Sequence, residues 1–205
     1  MKLYYASGAC SLSPHVALRE AGIPFDLVRV DFMRGKSLPD GTPFTSVSPK
    51  GYVPALELDD GQLLTEGVAM VQYIADLVPE KKLAPPNGTF ERVRLQELMN
   101  FIATELHKGT GPLFSPKLGD DYRAVVMERL AQRFSLLEKT VKENPSGWIF
   151  GDGFSVADAY ALYTLRVWEK VGKVDLAQYP ALAAYRRRVE ERPSVKAALE
   201  AEGLK

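Results

Sequence analysis

Through the first eighty positions the apolar residues fall into short runs broken by Gly and Pro; beyond that they recur every three to four residues. The opening "KLYY" predicts a strand, "SLSPHVALREAG" a helix of about three turns closed by Gly22, and "FDLVRVD" a second strand with alternating apolar positions. A polar loop, "FMRGKSLPDGTPFTSVSPKG", leads into "VPALELDDGQLLTEG", two strand runs around an Asp60-Gly61 hairpin signal, and then the helix "GVAMVQYIADLVP". The order βαβ followed by ββα predicts a thioredoxin-like α/β unit with a mixed four-stranded sheet.

Past the Pro/Gly-rich "KKLAPPNG" the strand signals end. "TFERVRLQELMNFIATELHKG", "DYRAVVMERLAQRFSLLEKTVKEN", "SVADAYALYTLRVWEKVG" and "PALAAYRRRVEER" all carry a helical period. The expected organisation is an α/β domain over 1–80, a linker over 81–88 and an all-helical domain over 89–205. Ser155 and Asp158 form a near capping box at the start of one helix, which assigns them a structural role. In "YRRRVEER", Arg186 and Arg187 stand four residues before Glu190 and Glu191, as on a solvated helical face.

Composition narrows the function classes. The 205 residues carry 26 Lys+Arg against 26 Asp+Glu, so nothing marks a polyanion site, and a nucleic-acid partner is not expected. The N-terminus lacks the apolar core of a signal peptide and no run is long enough to span a membrane, which predicts a cytoplasmic protein without a membrane partner. A single cysteine, Cys10, excludes an intrachain disulfide and a Cys-rich metal site, and no metal is expected.

Cys10 sits where the first strand gives way to the first helix. There the helix dipole and open backbone amides would favour the thiolate. Lowering an ordinary thiol pKa by two units would raise the ionised fraction at pH 7 from roughly 3% to roughly three quarters. A buried, inert cysteine is the plainer alternative. With no second Cys three residues on, a mixed disulfide at Cys10 would persist until another thiol arrived.

Taken together, "YYASGACSLSPH", "SPKGYVPALELDDGQLLTEGVAMVQYIADL", "ELHKG" and "FSVADAY" resemble the bacterial beta-class glutathione S-transferases over essentially the whole chain. The resemblance implies a thioredoxin-like glutathione-binding domain, a helical domain with a pocket for a small apolar electrophile, and a homodimer. Glutathione is then a co-substrate and no bound cofactor is expected. Cys10 stands where the beta class has a cysteine able to form a mixed disulfide with glutathione. Val53, before a cis Pro54, is implied to pair with the cysteinyl backbone of glutathione.

Glu66 and Gly67 are placed by the resemblance at the γ-glutamyl end, which offers both a carboxylate and an ammonium. Many relatives have Ser where this chain has Gly67, so only the backbone donor is kept there. Lys36, with Arg34 as the substitute, is implied for the glycyl carboxylate. Asn100, Thr104, Glu105, Leu106 and His107 are implied to lie near glutathione or the Cys10 sulfur, with Lys108 as a neighbouring charge.

At about 100° per residue, Asn100, Thr104 and His107 form one polar stripe opposite Leu95, Leu98 and Ile102; from the residues alone this reads as an ordinary solvated face. His15, five residues past Cys10, is expected to bond locally within its helix. Phe114, Tyr163 and Trp168 are candidates for the electrophile pocket, although aromatics on helices are more often core. The expected activity is conjugation of glutathione to apolar electrophiles. The alternatives are a glutathione-dependent thiol-disulfide reductase or peroxidase, and a noncatalytic apolar-ligand-binding protein on the same scaffold.

Overall fold

The computed structural model describes residues 1–204. They form two compact units, Met1–Leu83 together with the chain from Arg192 onward, and Ala84–Glu191. The last dozen residues thus cluster with the α/β unit, whereas the sequence pattern groups them with the helices that precede them.

In the first unit, β1 (Lys2–Tyr5), α1 (Leu12–Ala21) and β2 (Asp26–Arg29) make the expected βαβ crossover. β3 (Ala55–Glu57) and β4 (Leu63–Thr65) follow as a hairpin, and α2 (Gly67–Asp76) closes the unit. The sheet order is β2-β1-β3-β4. β1 runs parallel to β2 and antiparallel to β3, with Leu3 opposite both Leu27 and Leu56. α1 ends at Gly22, whose φ of 70° is the left-handed conformation that a residue without Cβ adopts freely. Leu12, Val16 and Leu18 of α1, Leu3 and Leu56 of the sheet, and Met70 and Ile74 of α2 are fully or almost fully buried, so the core lies where the helices cover the sheet. The polar loop after β2 is not featureless; it contains short 3₁₀ turns at Phe32–Arg34 and Phe44–Ser46.

The second unit contains α3 (Phe90–Phe101), which passes without a break into a π-helical segment, Ile102–His107, and the short α4 (Lys108–Thr110). α5 (Asp120–Glu143), α6 (Val156–Lys170) and α7 (Pro180–Glu190) complete it. The expected single helix over "TFERVRLQELMNFIATELHKG" is therefore three segments. Arg186 is not a simple solvated charge: its side chain is 17% exposed and pairs with Glu190, as the spacing predicts, and also with Glu169 of α6.

α8 (Pro193–Ala201) has no counterpart in the pattern-based reading. It opens on Pro193 at the first helical position and buries Val195, Ala198 and Leu199. It packs on α1 within the first unit. Just beyond it, Glu202 is 5% exposed. Its carboxylate accepts the Gly8 amide at 2.9 Å and meets His15 Nδ1 at 2.8 Å, while its carbonyl accepts the Ser7 hydroxyl at 2.5 Å. The end of the chain thereby holds the β1–α1 loop. Gly8 has a φ of +70°, and a Cβ there would come within 3.4 Å of Leu204. His15 is fully buried. It makes the local bond expected of it, accepting from Arg19 Nε at 2.9 Å, and in addition the bond to Glu202, 187 residues away.

Candidate active site

In the first unit the candidate residues gather on one side of the β1–α1 and β3 junctions. Cys10 is half-buried and not in a disulfide, and its Sγ donates to the Val53 carbonyl at 3.2 Å. Only the protonated thiol can make that bond. The amides of Leu12 and Ser13, expected to stand open toward the sulfur, are instead taken by the carbonyls of Ala9 and Cys10. The Val53–Pro54 bond is cis, and these two residues lead into β3 with the Val53 carbonyl turned to Cys10.

Lys36 lies on the same side. Its ammonium donates to the Gly51 carbonyl at 3.0 Å and sits 5.5 and 5.3 Å from the ring centres of Phe32 and Tyr52. Arg34 is 83% exposed in its side chain and pairs with its neighbour Asp31 at 3.7 Å, so the structure places Lys36, not Arg34, against the segment that leads to Val53.

Glu66 stands at the turn from β4 into α2 with φ 70° and ψ 109°, a conformation that side chains with a Cβ rarely adopt. Such backbone positions concentrate at functional sites. Its carboxylate pairs with Lys50 Nζ at 2.7 Å, and the same ammonium donates to Thr65 Oγ1 at 3.2 Å. Lys50 escaped the sequence reading; the "SPKG" run only gains meaning when β4 is folded back beside it. Gly67 follows as the first residue of α2, ahead of the first intrahelical bond from Met70 to Glu66. An anion is favoured at such a start.

In the second unit the π segment reorganises the expected polar stripe. Each turn there holds an additional residue, so the 100° rule no longer applies beyond Ile102. Asn100 and Thr104 remain exposed, and the Thr104 hydroxyl donates back to the Asn100 carbonyl at 2.9 Å. Leu106 is fully buried. Glu105 accepts from Arg133 of α5 at 2.8 Å.

His107 is part-buried and packs on α6. Its Nδ1 lies 2.7 Å from the Tyr160 hydroxyl, and its ring stands edge-on to Tyr163 at 4.9 Å between centres. Burial, reinforced by the charge of Lys108, lowers its pKa from 6.5 to about 4, so the imidazole is neutral at pH 7. Tyr160 is a partner the sequence reading missed; only the packing of α6 on the π segment reveals it.

The three pocket candidates have three different surroundings. Phe114 is 58% exposed, Tyr163 is buried against His107, and Trp168 is 1% exposed and stacked on Phe134 at 4.8 Å. Trp168 belongs to the helical core rather than to an open lining, because its ring is buried against Phe134 of α5.

Because His107 has a depressed pKa, its contribution to stability is complete above pH 6.5 and is lost as pH falls through about 4. One of the two histidine ring signals in a proton NMR titration, identified by its loss in His107→Gln, is expected to have a midpoint near 4. A midpoint near 6.5 for that signal would refute the part-buried, neutral imidazole.

Comparison with known proteins bears on what these parts make together. The family model described as glutathione S-transferase, N-terminal domain, matches residues 8–77, and the one described as glutathione S-transferase, C-terminal domain, matches residues 106–202. The chain belongs to the glutathione S-transferase family. Glutathione S-transferase GstA of Escherichia coli O157:H7 is 47% identical over 205 residues, covering all of both chains. Among solved structures, the ternary complex of BphK, a bacterial GST, superposes with a TM-score of 0.94 at 49% identity, again over the full length of both. The bacterial beta-class enzyme of Sphingomonas chungbukensis does so with a TM-score of 0.91 at 44% identity, over the full length of both. The thioredoxin-like sheet, the helical second unit and the beta-class motifs read from the sequence all agree with these relatives.

Proposed function

We propose that this glutathione S-transferase conjugates glutathione, as co-substrate, to small apolar electrophiles, and that Cys10 can enter a mixed disulfide with glutathione. The observation that carries this reading is the row formed by Cys10, Val53 before cis Pro54, and Glu66 at the start of α2. Each element matches one part of the tripeptide. The Val53 backbone leading into β3 is assigned to its cysteinyl unit, the Glu66 carboxylate suits the γ-glutamyl ammonium, and the open start of α2 at Gly67 suits the γ-glutamyl carboxylate. Lys36 supplies a cation for the glycyl carboxylate. Lys50 competes with the substrate ammonium for Glu66, so binding exchanges one ion pair for another.

In the second unit the neutral His107, held by Tyr160 and packed against Tyr163, serves as a hydrogen-bonding group rather than a cation. Asn100, Thr104 and Glu105 are assigned polar contacts, and Phe114 is retained as a pocket candidate because it is exposed. A reducing cytoplasm, with glutathione abundant, is the compartment in which such a site would operate, and a homodimer is the assembly proposed. Light scattering at micromolar concentration is expected to give twice the 22.7 kDa mass of the chain; a monomer mass would overturn that assembly.

Glu66→Gln keeps shape and removes charge. Because the Glu66 side chain is 70% exposed, the expected loss is at the lower end for a charge-assisted bond, about tenfold in glutathione affinity by calorimetry. Turnover of a chlorinated nitroaromatic, set against reduction of a small glutathione mixed disulfide, separates conjugation from a mainly redox role. Apolar-ligand binding with neither activity would favour the noncatalytic alternative.

A further inference from the structure

Between the C-terminal end of α1 and the first turn of α8, within the first unit, lies an open groove of about 620 Å³, within the size range of small-molecule sites. Its walls are apolar, formed by Leu18, Ile23, Phe25, Pro193 and Ala197, and Arg19 lines it as well. At one end Arg192 donates to both carboxylate oxygens of Glu20, at 2.5 and 2.8 Å, and the Ser194 hydroxyl donates to the same carboxylate. That cluster neutralises itself.

Arg19 is different. Its Nε donates to His15 at 2.9 Å and its guanidinium carbon lies 5.8 Å from the centre of the Phe25 ring, but its two terminal nitrogens have no acceptor among the described residues. His15 is in turn fixed by Glu202, so the guanidinium is anchored through Nε and little ordering is needed for it to accept a ligand. A half-buried cation with two parallel donors to spare, set in an apolar groove, is complementary to a carboxylate carried on an apolar body.

We propose that this groove binds a small amphiphilic monocarboxylate, with the carboxylate on the terminal nitrogens of Arg19 and the apolar part along Ile23, Phe25 and Ala197. The site is separate from the row that contains Cys10, Val53 and Glu66, and does not depend on the function proposed for that row.

The test is an NMR titration of the isotopically labelled full chain with 1-naphthoate, and in parallel with the neutral 1-naphthamide. Naphthoate is expected to move the amides of Gly22, Ile23 and Ala197 saturably, with naphthamide at least tenfold weaker. Arg19→Met, which keeps the apolar stem, is expected to lose at least tenfold in naphthoate affinity. Ile23→Trp, which fills the groove, is expected to do the same, with thermal unfolding confirming that each variant is folded. Should Arg19→Met fail to fold, the acid–amide comparison and Ile23→Trp decide alone. No saturable shift at those amides, equal affinity for acid and amide, or undiminished binding in the folded variants would overturn the proposal.

Discussion

Cys10→Ala is expected to abolish the mixed disulfide with glutathione completely while reducing, but not abolishing, conjugation. In the exchange reaction the Cys10 thiolate attacks one sulfur of oxidised glutathione, the glutathione S–S bond breaks, and one glutathione leaves as thiolate. Without the Cys10 sulfur no such bond can form. Conjugation draws on the sulfur of glutathione itself, so the substitution removes a neighbouring group and not the nucleophile.

The thiol must first give up its proton and its hydrogen bond to the Val53 carbonyl, 3.2 Å away. Cys10 is half-buried and not sealed in the core. The intact mass after treatment with oxidised glutathione at neutral pH should rise by one glutathionyl group, and dithiothreitol should reverse the gain. If Cys10 resisted both oxidised glutathione and iodoacetamide until the protein was denatured, the reactive-thiol reading would fall and the fold would stand.

Asp158→Ala is expected to destabilise the protein by about 3–5 kcal/mol, the range for dismantling a buried hydrogen-bond network. Asp158 is fully buried and its carboxylate accepts four hydrogen bonds: from the Ile149 amide, the Ser155 amide, the Ser155 hydroxyl and the Tyr185 hydroxyl. It therefore ties the start of α6 to the preceding loop and to α7. Alanine leaves all four donors without their acceptor.

Ser155→Ala removes only the cap on Ala157 and one donor, and about 1 kcal/mol is expected. For a chain of this size the larger loss corresponds to a fall in Tm of roughly 10 °C; a change within 2 °C would show that the network does not hold α6. The pH dependence has a definite sign. Burial raises the Asp158 pKa from 3.8 to about 6, so the stability linked to its protonation is complete below 3.8 and lost as pH rises through 6. That is opposite to the His107 contribution, and the two offset each other between pH 4 and 6.

The sequence by itself determined the parts whose cause is local. Period-two and period-3.6 patterns located β1 to β4, α1, α2 and the long helices of the second unit, because each element must bury one face of its own chain. The Ser155-x-x-Asp158 spacing located a helix start, since a cap needs only neighbours three residues away. The motifs around Cys10, Pro54, Glu66 and "FSVADAY" located the family.

Tertiary structure decided the rest. α8 is only nine residues long, and its place on α1 is fixed by the burial of Val195, Ala198 and Leu199 and by Glu202 reaching His15 and Gly8, contacts 187 and 194 residues apart in sequence. The environment of His107 turned on a π segment that shifts the helix phase by a fraction of a turn, which no fixed angular period can express, and on Tyr160 arriving from α6 to bond its Nδ1. Lys50 became the partner of Glu66 only once β4 had been paired. In each case the deciding energy comes from burial or ion pairing between residues distant in the chain, and a one-dimensional pattern carries no record of those distances.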